Sequence, residues 1–244
     1  MTDPRTSIIE ERLKGIHRIV AVSSGKGGVG KSLIAATLAL ELVQRKCKVG
    51  LFDLDFTSPT THIIIGATDA QPKEDKGLVP PKLNGLEYMS LVYYTGDQAA
   101  PLRGEDTSNA LIELLAVTRW SDLDYLVIDM PPGIGDAVLD LIRLVKNVEF
   151  IIVTTPSRLA FETVKKLASL LQSLQIQIVG IIENMSFDRE SSIKLQARKL
   201  GLPYLGEIPF DRSVEEAIGN PSALRDTTIG RHIKKIASKS LLAI

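Results

Sequence analysis

The stretch Gly25-Lys26-Gly27-Gly28-Val29-Gly30-Lys31-Ser32 decides how the rest of this chain is read, because it fits G-x-x-x-x-G-K-[ST] at every fixed position. Ahead of it, Arg18-Ile19-Val20-Ala21-Val22-Ser23 is a short β-branched apolar run that predicts a buried strand. Behind it, Leu33 to Gln44 keeps an apolar face at helical spacing. In a strand–loop–helix context the glycines let the backbone curl. Its N–H groups then point inward at phosphate oxygens, over the positive end of the helix dipole. Gly25, Gly27, Gly28, Val29 and Gly30 supply that cradle. Lys31 reaches the β- and γ-phosphates of a nucleotide, and Ser32 offers its hydroxyl to Mg²⁺. An accidental glycine turn requires neither flank. Lys26 is not demanded by the pattern, so a second lysine in this loop asks for its own explanation.

Carboxylates follow at the places such a loop needs them. Lys48-Val49-Gly50-Leu51-Phe52-Asp53 predicts a second buried strand, with Asp53 at its carboxyl end and Asp55 just beyond. Ligands of open α/β sheets bind along that edge, although an aspartate there also serves as a turn former or helix cap. Asp124-Tyr125-Leu126-Val127-Ile128-Asp129 repeats the pattern. A carboxylate ending a buried strand beside the first is placed to hold Mg²⁺ through water. Pro131, Pro132, Gly133 and Gly135 then form a turn that lacks donors at the prolines and can present its remaining N–H groups to a γ-phosphate.

Size and charge bound the rest. The 244 residues suffice for one large α/β domain over 1–244, and nothing in the composition marks a division. Lys plus Arg and Asp plus Glu both total 29, so no net charge biases the chain toward nucleic acid or anionic lipid. Cys47 is the only cysteine, which excludes an intrachain disulfide and any multi-cysteine metal site within one chain. That usage, the absence of an apolar leader at Met1–Thr6, and the lack of any long apolar run lead to the expectation of a soluble, cytoplasmic protein. His17, His62 and His232 lack ligand spacing.

In order, residues 4–14 predict a short helix with Ile8, Ile9 and Leu13 as its apolar side, part of an N-terminal arm over 1–16. Residues 66–85, with Pro72, Pro80 and Pro81, read as an exposed excursion, and Gly85 to Tyr94 as a strand. Asn109 to Arg119 reads as a helix with Trp120 packed at its end. Strands at 149–155, 177–183 and 204–208 then alternate with helices at 160–174 and 191–200, before two closing helices near 213–219 and 229–242. Such alternation predicts a mostly parallel sheet with helices on both faces.

With these pieces placed, the chain resembles the Mrp/ApbC-type ATPases, within the MinD/ParA group of P-loop proteins with a deviant Walker A motif. The resemblance rests on Ser24 through Ser32, Leu51-Phe52-Asp53-Leu54-Asp55 with Ser58-Pro59, and Leu123 through Asp136. It extends through Thr154-Thr155-Pro156, Ile182-Glu183-Asn184-Met185-Ser186 and Leu205-Gly206-Glu207-Ile208-Pro209. It implies a P-loop NTPase fold of the SIMIBI, MinD-like kind that binds ATP and Mg²⁺ and hydrolyses ATP slowly as a nucleotide-switched homodimer. It also implies roles. Lys26 matches the signature lysine that reaches across the dimer to the partner's nucleotide, and Asp55 the aspartate that orients the attacking water. Lys26, Lys31 and Asp55 are thus the catalytic set, and Ser32, Asp129 and Asp53 the metal set. Asn184 matches an asparagine that reads the adenine edge, as an amide can, with Pro209 and Asp211 beside the base.

Two departures stand out. Leu33 occupies the place where the family commonly has a threonine touching the α-phosphate. Where the family has a Cys-x-x-Cys pair for a bridging iron–sulfur cluster, this chain reads Phe187-Asp188-Arg189-Glu190-Ser191-Ser192. Thiolates are the usual ligands of such clusters, so a homodimer of this chain alone is not expected to hold a stable one. The functional expectation is therefore an ATP-driven factor of the cluster-carrier type, working with a protein client or a cysteine-bearing paralogue. The alternative is a MinD- or ParA-like switch acting on a membrane, DNA or a protein without any cluster. Its best sequence support is the stretch 229–244, where Ile233, Ile236, Ala237 and Leu241 oppose Lys234, Lys235 and Lys239. A core-facing last helix has the same pattern.

Overall fold

Helix α1 (Arg5–Leu13), strand β1 (Ile16–Ser24), helix α2 (Lys31–Gln44) and strand β2 (Val49–Asp53) open the chain in the computed structural model, which describes residues 5–67, 70–95, 105–187 and 192–242. Ile9 and Leu13 of α1 are buried, whereas Ile8 is exposed, so the apolar side of this helix is narrower than its sequence suggests. Helix α2 starts at Lys31, two positions before the expected Leu33. Gly30 adopts a left-handed conformation at its N-cap (φ 81°), which turns the last loop residues into the first helical turn. Ile34 to Leu42 are buried all round, as befits a helix covered on every side.

The strand expected at 85–94 takes a different form, and the segment before it carries short strands of its own. Helix α3 (Thr61–Ile64) leads to strands β3 (Lys73–Glu74), β4 (Leu78–Val79), β5 (Lys82–Leu83) and β6 (Leu86–Ser90), then to helix α4 (Val92–Thr95). Asn84 and Gly85 both have positive φ (51° and 82°) and join β5 to β6, with Leu83 facing Leu86 in register. An Asn-Gly pair is the commonest two-residue hairpin turn. The strand expected at 85–94 thus begins at Leu86 after that turn and ends at Ser90. Pro80 is buried within this segment.

The remaining elements are helix α5 (Glu105–Val117), strand β7 (Leu123–Asp129), helix α6 (Asp136–Leu144), strand β8 (Val148–Thr154) and helix α7 (Arg158–Ser173). They continue with strand β9 (Ile178–Ser186), helix α8 (Ser192–Lys199), strand β10 (Tyr204–Pro209) and helices α9 (Ser213–Ala217), α10 (Pro221–Asp226) and α11 (Thr228–Ser240). Ser191, the expected start of α8, lies outside the described residues. Three closing helices replace the expected two. Gly219 (φ 81°) stops α9, Asn220 and Pro221 start α10, and the Thr227 hydroxyl caps α11 by accepting the Gly230 N–H.

One eight-stranded sheet runs β10-β9-β8-β1-β7-β2-β6-β5, parallel throughout except for the β5–β6 hairpin. Its two faces carry separate apolar layers. One joins α1, α5, α6, α7 and α8 through Ile9, Leu115, Leu141, Phe161 and Ile193. The other joins α2, α10 and α11 through Leu38, Leu224 and Ile233. This is the single α/β domain that the alternation predicts. Trp120 packs edge-on against Phe52, with ring centroids 5.3 Å apart. The side chains of Trp120, Leu123 and Leu126 crowd Gly50 so closely that a Cβ there would meet all of them.

Candidate nucleotide site

Because β1, β7 and β2 lie side by side, their carboxyl ends bring loop 25–32, Asp129 and Asp53 to one edge of the sheet. Asp53 and Asp129 are register partners. The loop needs its glycines: Gly28 and Gly30 have φ of 77° and 81°, and a Cβ at Gly30 would run into the Asn184 side-chain nitrogen. The Ser24 hydroxyl donates to the Lys26 carbonyl (2.9 Å), and the Gly133 N–H donates to the Ser24 carbonyl (2.8 Å). The proline turn after Asp129 is thereby tied to the start of the glycine loop.

Lys31 is buried at the centre. Its Nζ donates to Asp129 Oδ1 at 2.6 Å and to Ser32 Oγ at 3.3 Å, and lies 3.6 Å from Asp55 Oδ2. Asp53 sits behind them. Its Oδ1 accepts the Asp55 N–H (3.0 Å), and its Oδ2 accepts both the Thr61 N–H (3.2 Å) and the Thr61 hydroxyl (2.6 Å). Burial pushes Asp53 up to about 7, the charge of Asp129 adding to the effect while the Thr61 and Asp55 hydrogen bonds and Lys31 oppose it. Asp129 is raised too, because burial outweighs the pull of Lys31 and Ser32.

Two buried carboxylates thus pair with one buried cation, and a third, Asp53, is buried behind them. Asp129 Oδ2 is buried and makes no hydrogen bond. An excess of negative charge and an unused carboxylate oxygen beside the Ser32 hydroxyl fit a hydrated divalent cation. Among the described residues no group of three or more His, Cys, Asp or Glu is arranged to hold a metal by itself. The donor set suits an ion shared with nucleotide phosphates, which is how Mg²⁺ is usually bound.

A cleft of about 640 Å³ opens over this cluster, lined by Gly28, Lys31, Ser32, Asp55, Thr60 and Pro132 among others. A second, of about 410 Å³, is lined by Leu33, Asn184, Met185, Pro209, Phe210 and Asp211. Leu33 borders both, so the residues matched to phosphate and to base divide between adjoining clefts. Asn184 is buried and its Nδ2 donates to the Val29 carbonyl (2.9 Å), tying β9 to the glycine loop. Asp211 accepts from the Ser213 N–H and hydroxyl and from the Thr228 N–H, donors that hold its carboxyl well below the usual range. Lys26 is exposed and makes no ion pair among the described residues. A further depression of about 480 Å³ between α1 and the amino end of β1 contains none of the motif residues.

Sequence reasoning missed Thr61 and Tyr88, whose hydroxyls stand 3.0 Å apart behind Asp53. Thr61 could have been sought in the turn after Asp55. Tyr88 lies on another strand and leaves no local signal.

A glycine cradle with its lysine, serine and strand-end aspartates, at the carboxyl edge of a mostly parallel sheet, defines a P-loop nucleotide-binding protein. The family model described as ParA, NUBPL iron-transfer P-loop NTPase, matches residues 15–241, and the chain belongs to that family. An iron-sulfur cluster carrier protein of Pseudomonas fragi is 38% identical over 233 residues, covering 88% of this chain and 81% of that one. For the iron-sulfur cluster carrier protein of Salmonella typhimurium the identity is 37% over 230 residues, 87% of this chain but only 62% of that protein's length. Among solved structures, the nucleotide-binding protein of Archaeoglobus fulgidus in complex with ADP matches with a TM-score of 0.75 and 29% identity, over 94% of this chain and 92% of that one. The cell division ATPase MinD of Pyrococcus furiosus matches in fold, with a TM-score of 0.68 at 20% identity, over 91% and 97%. Nucleotide hydrolysis is the general chemistry of such a family. Among the described residues no helix is long and apolar enough to cross a membrane. The apolar side of α11, Ile229, Ile233, Ile236 and Ala237, is buried in the domain.

Proposed function

We propose that this chain binds ATP with Mg²⁺, hydrolyses it slowly as a nucleotide-switched homodimer in the cytoplasm, and serves the carrying or assembly of iron–sulfur clusters. One observation carries the reading: Lys31 is held between Asp129 and Asp55 at the mouth of a glycine cradle, while Asp129 keeps one buried oxygen unpaired.

The residues act mainly by position and charge. Entering phosphates draw Lys31 from its carboxylate partners, and the loop N–H groups hold the β-phosphate. Ser32 and Asp129 would hold Mg²⁺, with Asp53 lending charge from behind, and the ion would supply positive charge against the phosphates. Asp55, freed from Lys31, accepts a hydrogen bond from the attacking water and sets it in line with the γ-phosphorus. The water oxygen bonds to phosphorus as the bridging bond to ADP breaks. Lys26, exposed at the loop, reaches the nucleotide of the second protomer, while Leu33, Asn184, Pro209 and Asp211 enclose the base.

The cluster is cargo, and this chain contributes little to its ligation. Cys47 is the only cysteine. It follows the end of α2, and a helix from Lys31 to Gln44 is about 21 Å long, so the thiol stands far from the glycine loop. Burial also raises its pKa. The remaining thiolates come from a protein client or a cysteine-bearing paralogue. The MinD- or ParA-like membrane or DNA switch is the weaker reading, because the apolar side of α11 is already used in the core.

The test is calorimetric ATP binding and Mg²⁺-dependent phosphate release by the purified chain, followed by anaerobic reconstitution with iron and sulfide. Absence of binding and turnover overturns the nucleotide reading. About four iron and four sulfide per dimer, lost on Cys47→Ser, overturn the need for a cysteine-bearing partner.

A further inference from the structure

Asp53 closes a loop. Its two oxygens bind the N–H of Asp55 at the start of the segment and the N–H and hydroxyl of Thr61 at its end, so one carboxylate clamps both ends of 55–61. Thr57, Ser58 and Thr60 within that loop line the cleft over the glycine cradle, and Asp55 faces Lys31 from it. Thr61 and Tyr88 are fully buried and Asp53 is 1% exposed, so no solvent competes for these contacts.

The direction of the protons follows from chemistry. Thr61 has one hydroxyl hydrogen, which it donates to Asp53 Oδ2 at 2.6 Å. Tyr88, 3.0 Å from Thr61 Oγ1, must then be the donor in that pair. Tyr88 is itself held by β6, which pairs with β2 so that Met89 faces Phe52 and Ser90 faces Asp53, and by the edge-on ring of Tyr93 at 5.7 Å. The relay Tyr88–Thr61–Asp53 therefore connects a rigid neighbouring strand to the backbone of Asp55.

We infer that Thr61 and Tyr88 are positioning residues for nucleotide hydrolysis, fixing through Asp53 the place from which Asp55 addresses the attacking water. The inference rests on the ATPase reading above. Thr61 and Tyr88 are buried and are not among the residues lining either cleft, so loss of their hydroxyls leaves affinity in place and acts on the chemical step. Misplacing a reacting group by about 1 Å can cost about a hundredfold, and a loop held by fewer donors shifts by a fraction of that.

The experiment is steady-state ATP hydrolysis by the full chain with Mg²⁺, comparing wild type, Thr61→Val, Thr61→Ser and Tyr88→Phe. Thr61→Val is expected to lower kcat about tenfold or more with KM for ATP changed less than about twofold. Thr61→Ser, which keeps the hydroxyl, is expected to restore kcat to within about twofold of wild type. Tyr88→Phe deletes a single oxygen and is expected to lower kcat about threefold. It carries the test alone if Thr61→Val does not fold. Unchanged kcat in Tyr88→Phe and Thr61→Val, a raised KM at constant kcat, or a serine variant as slow as the valine one overturns the inference while leaving the ATPase reading intact. A wild-type chain that turns over no ATP overturns both.

Discussion

Replacing Lys31 by Met deletes one charge and keeps most of the aliphatic stem, leaving Asp53, Asp55 and Asp129 buried without their cation. Coulomb's law at an effective dielectric constant near 20 assigns about 6 kcal/mol to the contact at 2.6 Å and about 5 kcal/mol to that at 3.6 Å. Proton uptake by the orphaned carboxylates returns much of this, and breaking a buried ion pair costs about 3–5 kcal/mol net. At about 2–4 °C per kcal/mol for a chain of this size, the ligand-free variant should melt about 10 °C below wild type at pH 8. The loss should shrink below half at pH about 5.5, because Asp53 and Asp129, both raised by burial, take up protons as the pH falls and then need the cation less. Thermal and urea unfolding in the presence of EDTA measure this directly. A melting temperature at pH 8 within about 2 °C of wild type, or an equal loss at both pH values, refutes the buried-cation argument. The same variant should bind no ATP detectably by calorimetry.

Asp55→Asn should keep ATP affinity within about threefold and lower turnover at least tenfold; a loss of affinity at constant kcat would contradict the role proposed for Asp55. Light scattering with a slowly hydrolysed ATP analogue should show a dimer for wild type and a monomer for Lys26→Ala, whereas a dimer indifferent to nucleotide and to Lys26 would count against the exposed lysine's part in trans. Asp53 has a folded pKa near 7, above its ordinary value, so the native state binds more protons than the unfolded chain between about pH 4 and pH 7. The stability of the ligand-free protein should therefore fall as pH rises through that window. Asp53→Asn should flatten that slope, and an identical pH dependence of melting in both proteins would show that Asp53 does not titrate there.

What the sequence determined by itself was everything carried by contiguous residues. The glycine pattern at 25–32, its two flanks and the strand-end aspartates Asp53 and Asp129 are local features. They were enough to place a phosphate cradle at the carboxyl edge of a parallel sheet. Alternation of apolar runs with helical periodicity did the same for the layers. The Asn84-Gly85 turn was equally local, and reading a single strand from 85 to 94 passed over its hairpin signal.

Only the tertiary structure decided the order of the strands and the partners of the buried polar groups. Strands such as Ile19–Val22 and Leu126–Asp129 are buried on both faces. They therefore lack the polar alternation that would mark register or neighbour, and nothing in their composition says that β1 runs between β7 and β8. Lys31 between two carboxylates, Asn184 on the Val29 carbonyl, and Tyr88 behind Thr61 join residues from 24 to 155 positions apart. Those distances are set by which strands the hydrogen-bonded ladder makes adjacent. A buried carboxylate such as Asp53 must find donors wherever the packed chain brings them, and for Asp53 the donors came from the loop it closes.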